Sequence, residues 1–320
     1  STVHGVATVL HLGFSLPEVK VLDGLFHLDM TGMDLRVGEQ TLPIVTSIAE
    51  VRWDPPAGQF SMDETQVIVG DNSAFVQGQF GLGLDPQYGP TVSISMSGRD
   101  IVIPSDLGAP AAPFPSMKFN GWSAPLYGAT GIDQFELKAP SGGQIVSEGR
   151  IDMLRKGAGF QMTVAGEGIT AEELKRVWPP MVSRDSRDWF IKNIPAGRLK
   201  ASSMRYDFPI GSIDTSVPNQ PMPKNSVFID IVGEGVEVTP VPGMDPIKVQ
   251  GDMKLTVRDS DVTISADGGV IETDAGAIAI ANFGMEFGSD APKESFFELS
   301  GDVSGDVPSL VALIKAQQPQ

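Results

Sequence analysis

The chain of 320 residues is 41% hydrophobic, with 36 Gly, 25 Pro and no Cys; it can bury a large core in one or two domains, and disulfide or thiolate chemistry is excluded. With 23 Lys plus Arg against 40 Asp plus Glu the formal charge is -17, which argues against nucleic acid as a general partner. The acidity is spread, with 7 basic and 16 acidic residues in 1–150 and 16 and 24 in 151–320, and the lack of Cys fits cytoplasm and periplasm equally.

Strand signals of period two begin near the N-terminus. Phe26, Leu28 and Met30 share one face, with His27 and Asp29 on the other; Gly32 then shifts the phase, and Met33, Leu35 and Val37 alternate with Asp34 and Arg36. That pattern reads as a long strand carrying a bulge. The alternation recurs at Ala49-Val51-Trp53, at Val76-Phe80-Leu82-Leu84 around Gly78, and at Val92-Ile94-Met96. Asp54-Pro55-Pro56, Asp71-Asn72 and Asp85-Pro86 supply the turns between them. Two stretches rich in proline and small residues, Pro104 to Pro125 and Pro209 to Pro223, read as crossover loops.

Between these β-like regions lies one helical island, Ile169 to Arg198. Thr170 and Glu173 have capping-box spacing, and Leu174, Val177 and Trp178 fall on one helical face before Pro179 and Pro180 end the turn. A second short helix is predicted over about 182–193, with Val182, Trp189, Phe190 and Asn193 on one side and charged residues on the other. From Lys175 to Arg205 the chain carries eight basic residues against Asp185 and Asp188, a net +6 in an acidic protein. The segment is read as a solvated helix face or as a surface that meets phosphate.

Further strands follow at Val249-Met253-Leu255-Val257 and Val262-Ile264-Ala266, with Asp267-Gly268-Gly269 and Asp274-Ala275-Gly276 as turns, and a last helix is predicted near 306–316. A strand ending in Gly recurs at Gly98, Gly166 and Gly301, a repeated unit of sheet plus turn at irregular spacing. One apolar and one polar face on each strand indicates antiparallel sheet. The expected fold is therefore mainly β with about three short helices. Its expected division is into a β-rich segment 1–159 and a second segment 160–320, the latter holding a helical insert at about 169–194 and the C-terminal helix.

Catalytic constellations are scarce. There is no G-x-S-x-G, P-loop or H-E-x-x-H, and the imidazoles are His4, His11 and His27 alone. Gly166-Glu167-Gly168 lacks the third glycine and the βαβ setting of a dinucleotide turn. Asp259-Ser260-Asp261 and Asp302 to Asp306 lack the order of a calcium loop and read as turn acids. No metal, cofactor or catalytic residue is assigned. No signal peptide, lipidation motif or spanning apolar run is visible; a chain starting at Ser1 is expected to be an excised piece of a longer protein.

The run Leu174-Lys175-Arg176-Val177-Trp178-Pro179-Pro180 is followed by Arg187-Asp188-Trp189-Phe190-Ile191, Asn193-Ile194-Pro195-Ala196-Gly197-Arg198-Leu199 and Asp207-Phe208-Pro209. Together they resemble the central domain of the AsmA-like, YhdP-type proteins of Gram-negative envelopes, a family related to TamB. Leu299-Ser300-Gly301 to Leu310-Val311-Ala312-Leu313-Ile314 resembles that family's strand followed by a leucine-rich helix. The specific resemblance covers roughly 160–317, while 1–159 matches only in β character.

The resemblance implies a long curled antiparallel sheet, a half-open β-groove with an apolar inner face. Its implied role is to shield phospholipid acyl chains in the periplasm during transport between inner and outer membrane. The full-length protein would be anchored in the inner membrane, with parts outside this chain reaching the two membranes, and no enzymatic activity is implied. On that reading Phe26, Leu28, Met30, Val249, Met253, Leu255, Val257, Val262 and Ile264 line the groove, and Arg184, Arg187 and Lys192 are candidates for headgroup contact. Two other classes stay open: a non-catalytic β-sandwich or β-helix binding or structural module, and a glycan-acting enzyme on a β scaffold with paired carboxylates.

Overall fold

The computed structural model describes residues 7–15, 20–37, 40–105, 111–154, 157–178, 184–213, 223–239, 244–287 and 298–316. Of these, 72% lie in strands, and every strand pairing recorded residue by residue is antiparallel. Three short helices complete the described elements. The chain forms two units. The first holds 1–140, 145–161 and 209–216; the second holds 141–144, 162–208 and 217–320. The main division, after Gln161, lies inside a strand rather than in a linker.

The first unit is built from β1 (Ala7–Ser15), β2 (Lys20–Asp29), β3 (Asp34–Val37), β4 (Gln40–Asp54), β5 (Gln59–Val69), β6 (Asn72–Asp85), β7 (Gly89–Val102), β8 (Phe114–Ala124) and β9 (Ala129–Lys138). Most of β10 (Gln144–Leu154) and the start of β11 (Gly157–Glu167) also belong to it. Pairing runs β1–β2–β4–β5–β6–β7–β8–β9. Short turns make this order possible. In the β6–β7 turn the Asp85 carboxylate accepts the N–H groups of Gln87 (2.7 Å) and Tyr88 (2.9 Å).

β2 and β3 lie end to end along the same partner, β4, with Asp29 opposite Ile48 and Asp34 opposite Pro43. The single long strand with a bulge expected here is therefore corrected to two strands; the phase breaks at the turn between them, where Gly32 takes a φ of 82°. The reading of Pro104 to Pro125 as a crossover loop is corrected. Phe114–Ala124 is a full strand pairing on both sides, and its prolines stand at or beside its ends or in the segment before it. Likewise Pro209 to Ile213 is the end of a strand, β12 (Ala196–Ile213), not loop.

The second unit contains α1 (Ala171–Val177), α2 (Arg184–Asn193), most of β12, β13 (Val227–Val238), β14 (Ile247–Arg258), β15 (Asp261–Thr273), β16 (Gly276–Phe287), β17 (Glu298–Ser304) and α3 (Val307–Ala316). The strands pair in sequence order. α1 carries the predicted capping box: Thr170 Oγ1 accepts from Glu173 N, and Thr170 N donates to Glu173 Oε2 at 2.9 Å. α2 is observed from Arg184; residues 182 and 183 of its predicted span lie outside the described residues. α3 begins where expected, with Asp306 Oδ1 accepting from Ser309 N at 2.8 Å.

Candidate functional site

Antiparallel register decides which side chains share a face, and in the first unit it assembles one apolar row across seven strands. Phe26 on β2 stands opposite Val51 on β4, then Met62 on β5, Gly78 on β6, Met96 on β7, Phe119 on β8 and Phe135 on β9. At about 4.8 Å between strands the row is about 29 Å wide. A parallel row runs Gly24, Trp53, Phe60, Phe80, Ile94 and Gly121. Phe26, Trp53 and Phe60 meet across the rows, with ring centroids 5.7 Å apart for Phe26–Phe60 and 4.5 Å for Trp53–Phe60.

Every member of the first row is half-buried and none is sealed. The three described helices all belong to the other unit. The opposite face of these strands is polar and laced by side-chain hydrogen bonds, Ser95 Oγ to Asn120 Oδ1 at 2.8 Å and Asn120 Nδ2 to Gln134 Oε1 at 3.2 Å.

Beside this row the same face is buried, at Ala49 (4% exposed) next to Val51 and at Leu137 (6%) next to Phe135, so the row and not the whole face is half-open. In the second unit whole rows of the apolar face are sealed. The row Val238–Ile247–Ile271–Ile278 is buried to 1% exposure or less. It joins one cluster with Ile264, Phe283 and Met285, against which Trp189 and Phe190 of α2 and Leu310 of α3 pack. Helices therefore seal this face, as ordinary core packing requires.

The residues expected to line a groove are accordingly split. Phe26 stands in the open row of the first unit, and Met30 is half-buried at the break between β2 and β3. Leu28 pairs with Ala49, and its side chain lies outside the described ones. Val249 (9% exposed) and Ile264 (2%) belong to the packed cluster of the second unit, and Met253 and Leu255 pack against it. Val257 and Val262, opposite each other toward the far end of those strands, are half-buried.

The basic segment is largely engaged by the protein. The Arg187 side chain is 14% exposed, and its Nε donates to the Trp178 carbonyl at 3.0 Å, closing the end of α1. Lys200 pairs with Asp252 at 2.9 Å, and Arg205 lies over the Phe228 ring at 4.4 Å. Lys192 is exposed, whereas the side chain of Arg184 lies outside the described ones.

The carboxylates read as turn or cap groups. Asp259 accepts from the N–H groups of Asn225, Ser226 and Val227 at 2.7, 2.7 and 3.0 Å, which holds its carboxyl below the usual range. Buried Glu173 accepts from Ser141 N (2.8 Å), Ser141 Oγ (2.6 Å) and Thr170 N (2.9 Å). Burial pushes its pKa up, but these hydrogen bonds outweigh that and leave it below the usual glutamate value. A depression of about 630 Å³ on the polar face of β14–β16 is lined mainly by Asp252, Lys254, Thr263, Ser265, Asp267 and Glu286. Among the described residues no group of three or more His, Asp or Glu is placed to hold a metal ion.

The row in the first unit was only partly found by sequence reasoning. Phe26 was read as groove lining and Val51, Gly78 and Met96 lay in alternations read as strands without a role; Phe119 fell within Pro104 to Pro125, read as loop, and Met62 and Phe135 lay in no assigned alternation. No protein family, characterised protein or solved structure compared with this chain matches it.

Proposed function

We propose that the chain is a segment of a periplasmic bridge-like protein of a Gram-negative envelope, holding phospholipid acyl chains on an apolar sheet face as they pass between inner and outer membrane. The observation that carries this reading is the half-buried row from Phe26 to Phe135, which presents Phe, Met and Val across seven strands of a unit holding none of the described helices. Apolar area left half-open invites an occupant, and each CH₂ removed from water contributes about 0.8 kcal/mol. An acyl chain lying along such a row recovers most of what it had in the bilayer. Methionines at 62 and 96 suit a mobile ligand because their side chains adapt to irregular partners.

The envelope setting rests on the resemblance of 160–317, whereas the open row lies in 26–135, so the two supports are independent. The inner and outer membranes are the partners this role needs, and the chain acts without a catalytic residue. A second reading, a structural module, is favoured for the second unit by its filled core.

The test is purification without detergent, followed by lipid extraction and mass spectrometry. The parent is expected to carry phospholipid, and Phe119→Asp to carry at least several-fold less while staying folded. A folded parent without lipid overturns the proposal.

A further inference from the structure

The hairpins β4–β5, β6–β7 and β8–β9 of the first unit turn at the same end of its sheet. Leu82 N donates to Gly58 O at 3.2 Å, tying the first turn to the second, and Met153 N donates to Gly128 O at 2.6 Å, bringing β10 to the third. At this end large apolar side chains stand out into solvent: Leu84 is 80% exposed, Leu126 82% and Met153 70%. A single exposed leucine is ordinary; several on one rim are not. Leu82 and Leu84 lie two and four residues beyond Phe80 on β6, so the apolar face runs off the sheet here.

Behind the tips, on the opposite face, sits an aromatic and polar layer. Tyr88 stacks on Trp122, ring centroids 4.7 Å apart, and meets Tyr127 edge-on at 5.0 Å. Arg150 forks onto Asp152 at 2.7 and 2.8 Å and also donates to the Tyr88 hydroxyl. The Asp85 carboxylate is taken up by its own turn. Arg150 is thus paired with Asp152, while Asp85 and Asp54 accept from backbone N–H groups of their own turns, and the rim offers no net positive field to an anionic surface.

We propose that this rim inserts into the interface of a phospholipid bilayer. Leu84, Leu126 and Met153 enter the acyl region, and Tyr88, Tyr127 and Trp122 lie at headgroup depth. Apolar tips backed by Tyr and Trp match the layering of a membrane interface, where amphipathic rings sit between hydrocarbon and water. The core of a protein interface is instead a packed patch. Because the rim carries no net positive charge in a chain of net charge -17, the bilayer it suits is zwitterionic and the binding insensitive to salt. This deepens the conduit reading by placing the mouth of the apolar face at a membrane, yet it stands or falls on a different measurement.

The experiment is flotation of the whole chain with phosphatidylcholine vesicles, for the parent and for the triple variant Leu84→Ser, Leu126→Ser, Met153→Ser. The three positions are so exposed that far-UV circular dichroism and thermal midpoint should not change. The parent is expected to float equally at low and high salt, and the triple variant to bind at least about tenfold more weakly, given the apolar area removed. Tryptophan quenching by brominated acyl chains should appear in the parent and be reduced in Trp122→Phe. A parent that does not float, a triple variant that floats as well, or binding that needs anionic lipid and vanishes in salt each overturns the proposal. So does a triple variant that loses self-association in the absence of vesicles, which would make the rim a protein interface. Flotation of a parent that carries no co-purified lipid would keep the rim and sink the conduit; lipid in a parent that does not float would do the reverse.

Discussion

Placing one carboxylate in each apolar face separates a filled core from an open one. Ile264 is 2% exposed and lies between Leu255 and Met285, the latter at 0%. Ile264→Asp removes about 2–3 kcal/mol of apolar burial and strands a carboxylate without a partner at a further cost of several kcal/mol. The sum reaches the about 5–15 kcal/mol that stabilises a typical domain, so the second unit should unfold. Met96 is half-buried, flanked by Gly78 and Phe119. There an aspartate keeps its water, and the cost should be about 1–2 kcal/mol. Urea titration followed by fluorescence reads both cases, since Trp53 and Trp122 report on the first unit and Trp178 and Trp189 on the second. Should Met96→Asp lose as much stability as Ile264→Asp, the first unit's face is a filled core and the acyl-chain reading fails with it.

Glu173→Gln should destabilise by about 1–3 kcal/mol at neutral pH by weakening bonds to Ser141 and Thr170. Because the folded carboxyl titrates below its usual value, this contribution is complete above about pH 4.3, the usual glutamate value, and is lost as pH falls through the lower folded pKa. Urea midpoints of parent and variant should therefore converge in acid, and a gap that widens there would refute the assignment. Arg187→Gln is expected to cost about 1 kcal/mol of stability through the bond to the Trp178 carbonyl. Lys192→Gln should leave the melt unchanged and weaken only low-salt binding to anionic vesicles, and Arg187→Gln should leave that binding unchanged; weaker vesicle binding with an unchanged melt in Arg187→Gln would place Arg187 at the headgroup instead. Gly143→Ala should destabilise the second unit by about 1–3 kcal/mol or more, because a Cβ there runs into the backbone of Gly168; an unchanged melt would show that the close approach relaxes freely.

Elements whose signal is local were legible in the sequence. The capping box at Thr170 and Glu173 and the last helix lie within a residue of their expected starts. The phase break at Gly32 was readable because a positive φ asks for glycine. β8 was not, since prolines at 113 and 115 suggested a break, yet Pro113 precedes the strand and Pro115 is its second residue, where loss of a donor is tolerated. The candidate site was legible only as alternation. Periodicity shows that Leu255 and Ile264 share a face with Val257, but not whether helices cover that face. Coverage depends on where α2 and α3 pack, a long-range fact carried by Trp189, Phe190 and Leu310. The same limit hid the role of Arg187, whose partner is a backbone carbonyl nine residues earlier.

One row of each unit differs in chemistry as well as in coverage, although the sealed cluster of the second unit also holds Phe283 (2% exposed) and Met285 (0%). The sealed row of the second unit, Val238–Ile247–Ile271–Ile278, is β-branched throughout. Such side chains have few rotamers and lose little on being fixed, so they suit a core with one arrangement. The open row of the first unit, Phe26–Val51–Met62–Gly78–Met96–Phe119–Phe135, contains a single β-branched residue. Its flat rings and unbranched thioethers make contact area without demanding a fixed partner. Gly78 adds to this, because a Cβ there would stand 3.1 Å from Met96 Cγ and restrict that side chain. A face meant to be filled once by protein gains from stiffness, while a face meant to receive chains of varied length and kink gains from compliance. These two rows differ in residue type as they differ in burial, and the half-open one adjoins the Phe80, Leu82 and Leu84 positions that lead to the exposed rim.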